Sequence, residues 1–95
     1  MTDRLLLGPD SVPSLPRHIK LRWDKRREQW VIQAPEKVMF PDEIAVAILN
    51  RCDGAATLGE IVAALAAEYD EKPEDIAADV TEMLQDLADK GYVTA

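Results

Sequence analysis

At Pro41-Asp42 the hydrophobic spacing of this chain changes from every second residue to about every 3.6, the repeat of a helix. Before that point, Ile19, Leu21 and Trp23 alternate with His18, Lys20, Arg22 and Asp24, as in a half-buried strand. Asp24-Lys25-Arg26-Arg27 is a polar turn, and Glu28 to Ala34 returns as a second strand with Trp30 and Ile32 inward. Pro35 stops it, and Glu36-Lys37-Val38-Met39-Phe40 is a short third strand. After Pro41-Asp42, three helical stripes follow. Ile44, Ile48, Leu49 and Cys52 share a face of the first helix, which Asp53-Gly54 stops. Thr57 and Glu60 form a capping box ahead of Leu58, Ile61, Val62, Leu65 and Tyr69. Pro73, Glu74 and Asp75 open a third helix lined by Ile76, Val80, Met83, Leu84 and Leu87, which Gly91 ends. Tyr92 and Val93 supply a last apolar contact.

Strands first and helices after make an α+β chain, with the helices covering one face of a three-stranded antiparallel sheet. The layout is close to a winged helix-turn-helix. Residues 1–15, with Gly8, Pro9 and Pro13, have neither period and are expected to form an extended N-terminal arm ahead of a domain at 16–95. Leu5-Leu6-Leu7 is expected to pack on this domain or on a second copy.

Ninety-five residues support one modest core and no large enclosed active site, because a chain this size hides only roughly 60–65% of its unfolded surface. A single cysteine, Cys52, excludes an internal disulfide and an all-cysteine metal site. No apolar run is long enough for a membrane span or a secretory signal, so the expected location is cytoplasmic. His18 lies on the solvent side of its strand with no ligand at suitable spacing. Asp75, Asp79, Glu82, Asp86 and Asp89 recur along the outer side of the third helix as a solvated face or a dock for a basic partner. There is no glycine-rich phosphate loop. Neither an enzyme nor a cofactor or metal site is expected.

The charge is divided. Residues 1–41 carry eight Lys and Arg against five Asp and Glu, and residues 42–95 three against thirteen. Six of the basic residues fall between Arg17 and Arg27, so a nucleic-acid-binding winged helix is the first alternative. The helices lack the outward Lys, Arg, Asn or Gln of a recognition helix, and their acidity repels phosphate. A structural dimer exchanging its arm is the second.

The third strand is the remaining feature. Only Lys37 guards it among Val38-Met39-Phe40, and an unguarded sheet edge is an aggregation hazard or a place where a peptide adds as a further strand. A third possibility is that the Leu5-Leu6-Leu7 arm covers it.

Pro16-Arg17, Leu21, Asp24, Trp30-Val31, Pro35-Glu36, Cys52-Asp53-Gly54, the helix from Ile61 to Leu65, and Asp79-Val80 through Leu84 and Leu87 together resemble the PqqD family. The resemblance runs over residues 16–93 and leaves the arm outside. It implies a peptide chaperone of pyrroloquinoline quinone (PQQ) biosynthesis, a recognition element for a ribosomally made precursor peptide. Such a domain binds the peptide PqqA and presents it to PqqE, a radical S-adenosylmethionine enzyme. The leader strand would lie along Glu36, Lys37, Val38, Met39 and Phe40. Its helix wall would come from Ile44 and Ile48, or from Asp79, Val80 and Met83. The basic turn would then steer an acidic peptide.

Overall fold

The computed structural model describes residues 5–95, so the first four residues of the expected arm lie outside it. The chain runs as three strands, β1 (Lys20–Asp24), β2 (Gln29–Gln33) and β3 (Val38–Met39), and three helices, α1 (Glu43–Leu49), α2 (Leu58–Glu68) and α3 (Pro73–Asp89). This is the expected α+β arrangement.

The antiparallel register of β1 and β2 sets Leu21 opposite Ile32 and Trp23 opposite Trp30. Those residues lie on the face turned to the helices, and the two indoles meet edge to face with centroids 5.8 Å apart. The polar turn closes as Asp24 Oδ1 accepts the amides of Arg26 and Arg27, with Glu28 taking a left-handed φ of 52°. β1 starts later than the alternation suggests, because Pro16 to Ile19 form a hydrogen-bonded turn instead. β3 is shorter than expected, with two residues rather than five. Its near end belongs to the turn in which Ala34 donates to the Lys37 carbonyl, and at its far end Pro41 has no N–H to extend a ladder.

Each helix begins as its sequence dictates. Asp42 accepts the Ala45 amide at the start of α1, and Thr57 and Glu60 close a reciprocal capping box on α2. Pro73 occupies the first turn of α3, where a missing N–H costs nothing. α3 ends at Gly91, φ 87°, with Tyr92 donating to the Leu87 carbonyl and Gly91 to Ala88, the paired bonds of a Schellman motif. α2 ends in the same way with Asp70, φ 54°, in the left-handed position.

The core is one cluster between sheet and helices. Ile32 and Ile19 meet Ile48, Leu49, Leu58, Ile61, Leu65, Val80, Leu84 and Leu87, with Tyr92 and Val93 sealing one end. Two residues on the helical stripes depart from it: Ile44 is 65% exposed and Tyr69 48%. Each sits at a helix end, beyond the neighbours that would have covered it. No helix among the described residues is long and apolar enough to cross a membrane.

Residues 7–15 lie against the helices. Pro13 is fully buried, Leu7 and Leu15 pack on the core, and Ser14 bridges to Asp53 and Thr94. The Ser11 and Pro9 carbonyls accept the amides of Leu58 and Gly59, the first two of α2, at 2.7 and 2.9 Å. Gly59 allows this approach: a Cβ there would stand 3.3 Å from the Pro9 oxygen. Leu5 and Leu6 remain exposed.

Candidate functional site

The strand order is β1-β2-β3, which makes β3 an outer strand. Among the described residues nothing pairs with its free side, and the Leu5-Leu6-Leu7 segment lies elsewhere, held by Gln85 of α3. Ala34 and Lys37 form a hydrogen-bonded pair, so antiparallel alternation makes Val38 and Gln33 the non-bonded pair and Met39 and Ile32 the next bonded one. The N–H and C=O of Val38 therefore point away from β2, toward the open side. Met39 packs on the core, while Val38 and Phe40 are 53% and 49% exposed on the opposite face.

On the helix side lies a cavity of about 550 Å³ where α1, α2 and α3 converge. Asp42, Ile44, Ala45 and Ile48 form one wall, Leu65, Tyr69 and Glu71 a second, and Ile76, Asp79, Val80 and Met83 the third. The two alternative helix walls read from the sequence are thus one cavity, holding Ile44 and Ile48 together with Asp79, Val80 and Met83. Its floor is apolar and its border carries carboxylates. α1 begins four residues after Met39, so this cavity lies beside the end of the free edge.

The five strand residues do not enter that cavity. Glu36 and Lys37 are exposed at the turn, Met39 is half-buried in the core, and Val38 and Phe40 line a separate depression with Arg22, Asp24, Arg27, Val31 and Gln33. Sequence reasoning placed Tyr69 and Ile76 with the core and missed their part in the cavity. The signal was their position at the end of α2 and the start of α3, where an apolar stripe outruns its partners.

The remaining polar groups have structural explanations. Cys52 is buried, its Sγ 3.4 Å from the Ile48 carbonyl it donates to, and burial, aided by the Asp53 charge, pushes its pKa up to about 12. A thiol that stays protonated at neutral pH is a poor nucleophile. His18 is exposed. The acidic side of α3 borders a shallow depression lined by Asp79, Glu82, Met83, Gln85, Asp86 and Asp89. Among the described residues no three His, Cys, Asp or Glu side chains come together as a metal set.

Comparison with known proteins gives a consistent family. The model of the family described as "Coenzyme PQQ synthesis protein D (PqqD)" matches residues 29–93. A protein of Rhodopseudomonas palustris (strain HaA2) named "PqqA binding protein" is 56% identical over 88 residues, covering 93% of this chain and 86% of the relative. A protein of the same name from Xanthomonas oryzae pv. oryzae (strain PXO99A) is 43% identical over 81 residues, 85% of this chain and 88% of the relative. The solution structure of the PqqD truncation of Methylobacterium extorquens PqqCD, described as a functional, stand-alone RiPP recognition element (RRE), superposes with a TM-score of 0.79. Its sequence is 38% identical, and the match covers 94% of this chain and 95% of that one. The crystal structure of PqqD from Xanthomonas campestris is 39% identical, covers 88% of this chain and 93% of its own, and gives a TM-score of 0.54.

Proposed function

Because the chain belongs to the PqqD family of coenzyme PQQ synthesis proteins, whose relatives above are named as binding proteins and recognition elements rather than enzymes, we propose that it is a peptide chaperone that binds the precursor peptide PqqA as a strand added to β3. It then presents that peptide to the radical S-adenosylmethionine enzyme PqqE, in the cytoplasm where a ribosomal peptide is made. The observation that carries the reading is the free edge at Val38 beside an apolar cavity. Backbone groups of Val38 supply hydrogen bonds that any extended peptide satisfies, and the cavity supplies the choice between peptides. Glu36, Lys37, Met39 and Phe40 shape the edge. Ile44, Ile48, Asp79, Val80 and Met83 receive the side chains directed at the helices.

Presentation works through effective concentration. A domain that holds the substrate and touches the enzyme turns a slow encounter into an intramolecular one. No helix carries a basic outward face: Arg51, Lys72 and Lys90 are all the positive charge of residues 42–95. That favours a peptide over nucleic acid as the partner.

The test is Val38→Pro, which removes the outward N–H and leaves the bond from the Ala34 amide to the Lys37 carbonyl in place. Calorimetric titration with PqqA is expected to show binding lost in a variant whose circular dichroism and thermal midpoint stay close to the parent. Unchanged affinity in the folded variant would overturn strand addition.

A further inference from the structure

A peptide lying along β3 presents two faces, and the helix-side cavity accounts for only one. Successive side chains of a strand point to opposite sides of the sheet, so every second side chain of the added strand is directed at the outer face, away from α1 and α3. Among the described residues no helix covers that face, and its residues Lys20, Arg22, Gln29, Gln33, Val38 and Phe40 are all exposed. It holds a depression of about 530 Å³ lined by Arg22, Asp24, Arg27, Val31, Gln33, Val38 and Phe40.

The chemistry of this face is the reverse of the helix side. Among the described residues the helix-side cavity is lined by Asp42, Glu71 and Asp79 and by no cation, whereas the outer depression is lined by Arg22 and Arg27 against Asp24 alone. Arg27 also crosses the sheet. It starts in the β1–β2 turn, yet its guanidinium carbon lies 5.3 Å from the centroid of the Phe40 ring, at the β3 edge. Stacking on the ring orients it there. Its Nε is 3.7 Å from Asp24 Oδ2 and its side chain is 60% exposed, so that pair occupies one of its five N–H donors. Arg22 is held beside it by donating from Nη1 to Gln33 Oε1 at 3.0 Å.

We infer that the outer face around Arg27 and Phe40 is a second subsite of the same groove, and that it takes an Asp or Glu of the bound strand. The inference rests on the strand-addition reading. Neighbouring strands run roughly 4.8 Å apart and directly opposed Cβ atoms roughly 4.5–5.5 Å. A carboxylate opposite Phe40 is therefore within reach of the guanidinium above the ring, while its sequence neighbours turn to the helix side. The substrate this selects is an extended segment in which apolar side chains, with a Lys or Arg beside them, face the helices and an acidic residue faces outward. Opposite charges on the two sides fix which face of the peptide is up, and so fix its register.

The test is a charge-swap cycle on the whole chain with PqqA as the probe, using Arg27→Glu, Arg27→Gln, Arg26→Glu and Val38→Pro. Arg26 shares the turn and the charge but does not line the depression, so it reports the long-range field. Arg27→Glu is expected to weaken PqqA binding about tenfold, chiefly by faster dissociation, with Arg27→Gln in between. One PqqA variant, with a single Asp or Glu changed to Lys, should bind the parent less well and restore binding to Arg27→Glu. Arg26→Glu should alter association and its salt dependence only. Equal losses in Arg26→Glu and Arg27→Glu, or the absence of a compensating PqqA change, would overturn the outer subsite. If Val38→Pro also binds as the parent does, strand addition falls with it. If Val38→Pro loses binding while Arg27→Glu keeps it, only the outer subsite falls.

Discussion

Asp53 does more than stop a helix. Its Oδ1 accepts the amides of Ala55 and Ala56 at 2.9 and 3.3 Å, and these bonds hold its carboxyl below the usual carboxylate range. Its backbone bridges to Ser14, and the next residue, Gly54, donates to the Pro13 carbonyl at φ 78°, a conformation glycine tolerates best. Cys52, Asp53 and Gly54 thus join the end of α1, the approach to α2 and the N-terminal arm. A carboxyl whose folded pKa is depressed adds stability above its unfolded value of about 3.9, and that contribution fades as pH falls through the lower folded value. Asp53→Asn is therefore expected to lower stability at neutral pH and to flatten its loss on acidification. Urea midpoints measured from pH 7 down to pH 3 on both proteins check this. Parallel curves would show that the charge of Asp53 contributes nothing. Asp53 and Gly54 were legible as a stop signal, but their tie to Ser14 and Pro13 spans about forty positions and leaves no local pattern.

Among the elements, α2 shows the division most clearly. Its capping box could be read directly, since Thr57 and Glu60 stand three apart before an apolar stripe, and both bonds form at 3.1 and 2.8 Å. The amides of Leu58 and Gly59 are satisfied from the arm instead. Thr57→Ala is expected to cost about 1 kcal/mol, read as a lower urea midpoint with an unchanged slope. A loss well below that would mean the arm carbonyls hold the first turn unaided. β3 shows the reverse case. The sequence suggested a short strand over Glu36 to Phe40, and Pro35 and Pro41 confine the ladder further, to Val38 and Met39. A very short edge strand is one way proteins limit unwanted pairing, and here the two prolines set that limit.

At the scale of the molecule, a sheet and a helical layer make a body 20 Å through its thinnest direction. The basic hairpin and the acidic helices lie in different layers, so the division of charge along the sequence becomes a division between the two sides of β3. Residues 5–15 of the arm belong to the helical layer. Pro13 is buried, Gln85 donates to the Leu5 carbonyl and accepts from the Leu7 amide, and two α2 amides depend on arm carbonyls. Deleting residues 1–14 is accordingly expected to lower the thermal midpoint substantially, while light scattering gives the mass of one chain before and after. A full-length dimer that becomes a monomer on deletion would instead support exchange of the arm between copies.

Local periodicity and caps determined the order of three strands and three helices, the inward face of each, and the helix starts, because these depend on residues within a turn or two of one another. The family signature was legible for the same reason, being carried by turns, caps and core positions along one continuous stretch. Tertiary structure alone decided what lies on either side of the β3 edge. The helix-side cavity is built from α1, α2 and α3, which packing brings together: the places of Tyr69 and Ile76 at helix ends hinted at exposure, and only the meeting of the helices put them in one cavity. Arg27 reaches Phe40 because antiparallel pairing folds the turn over the sheet, and a one-residue slip in register would turn that side chain's partners to the other face.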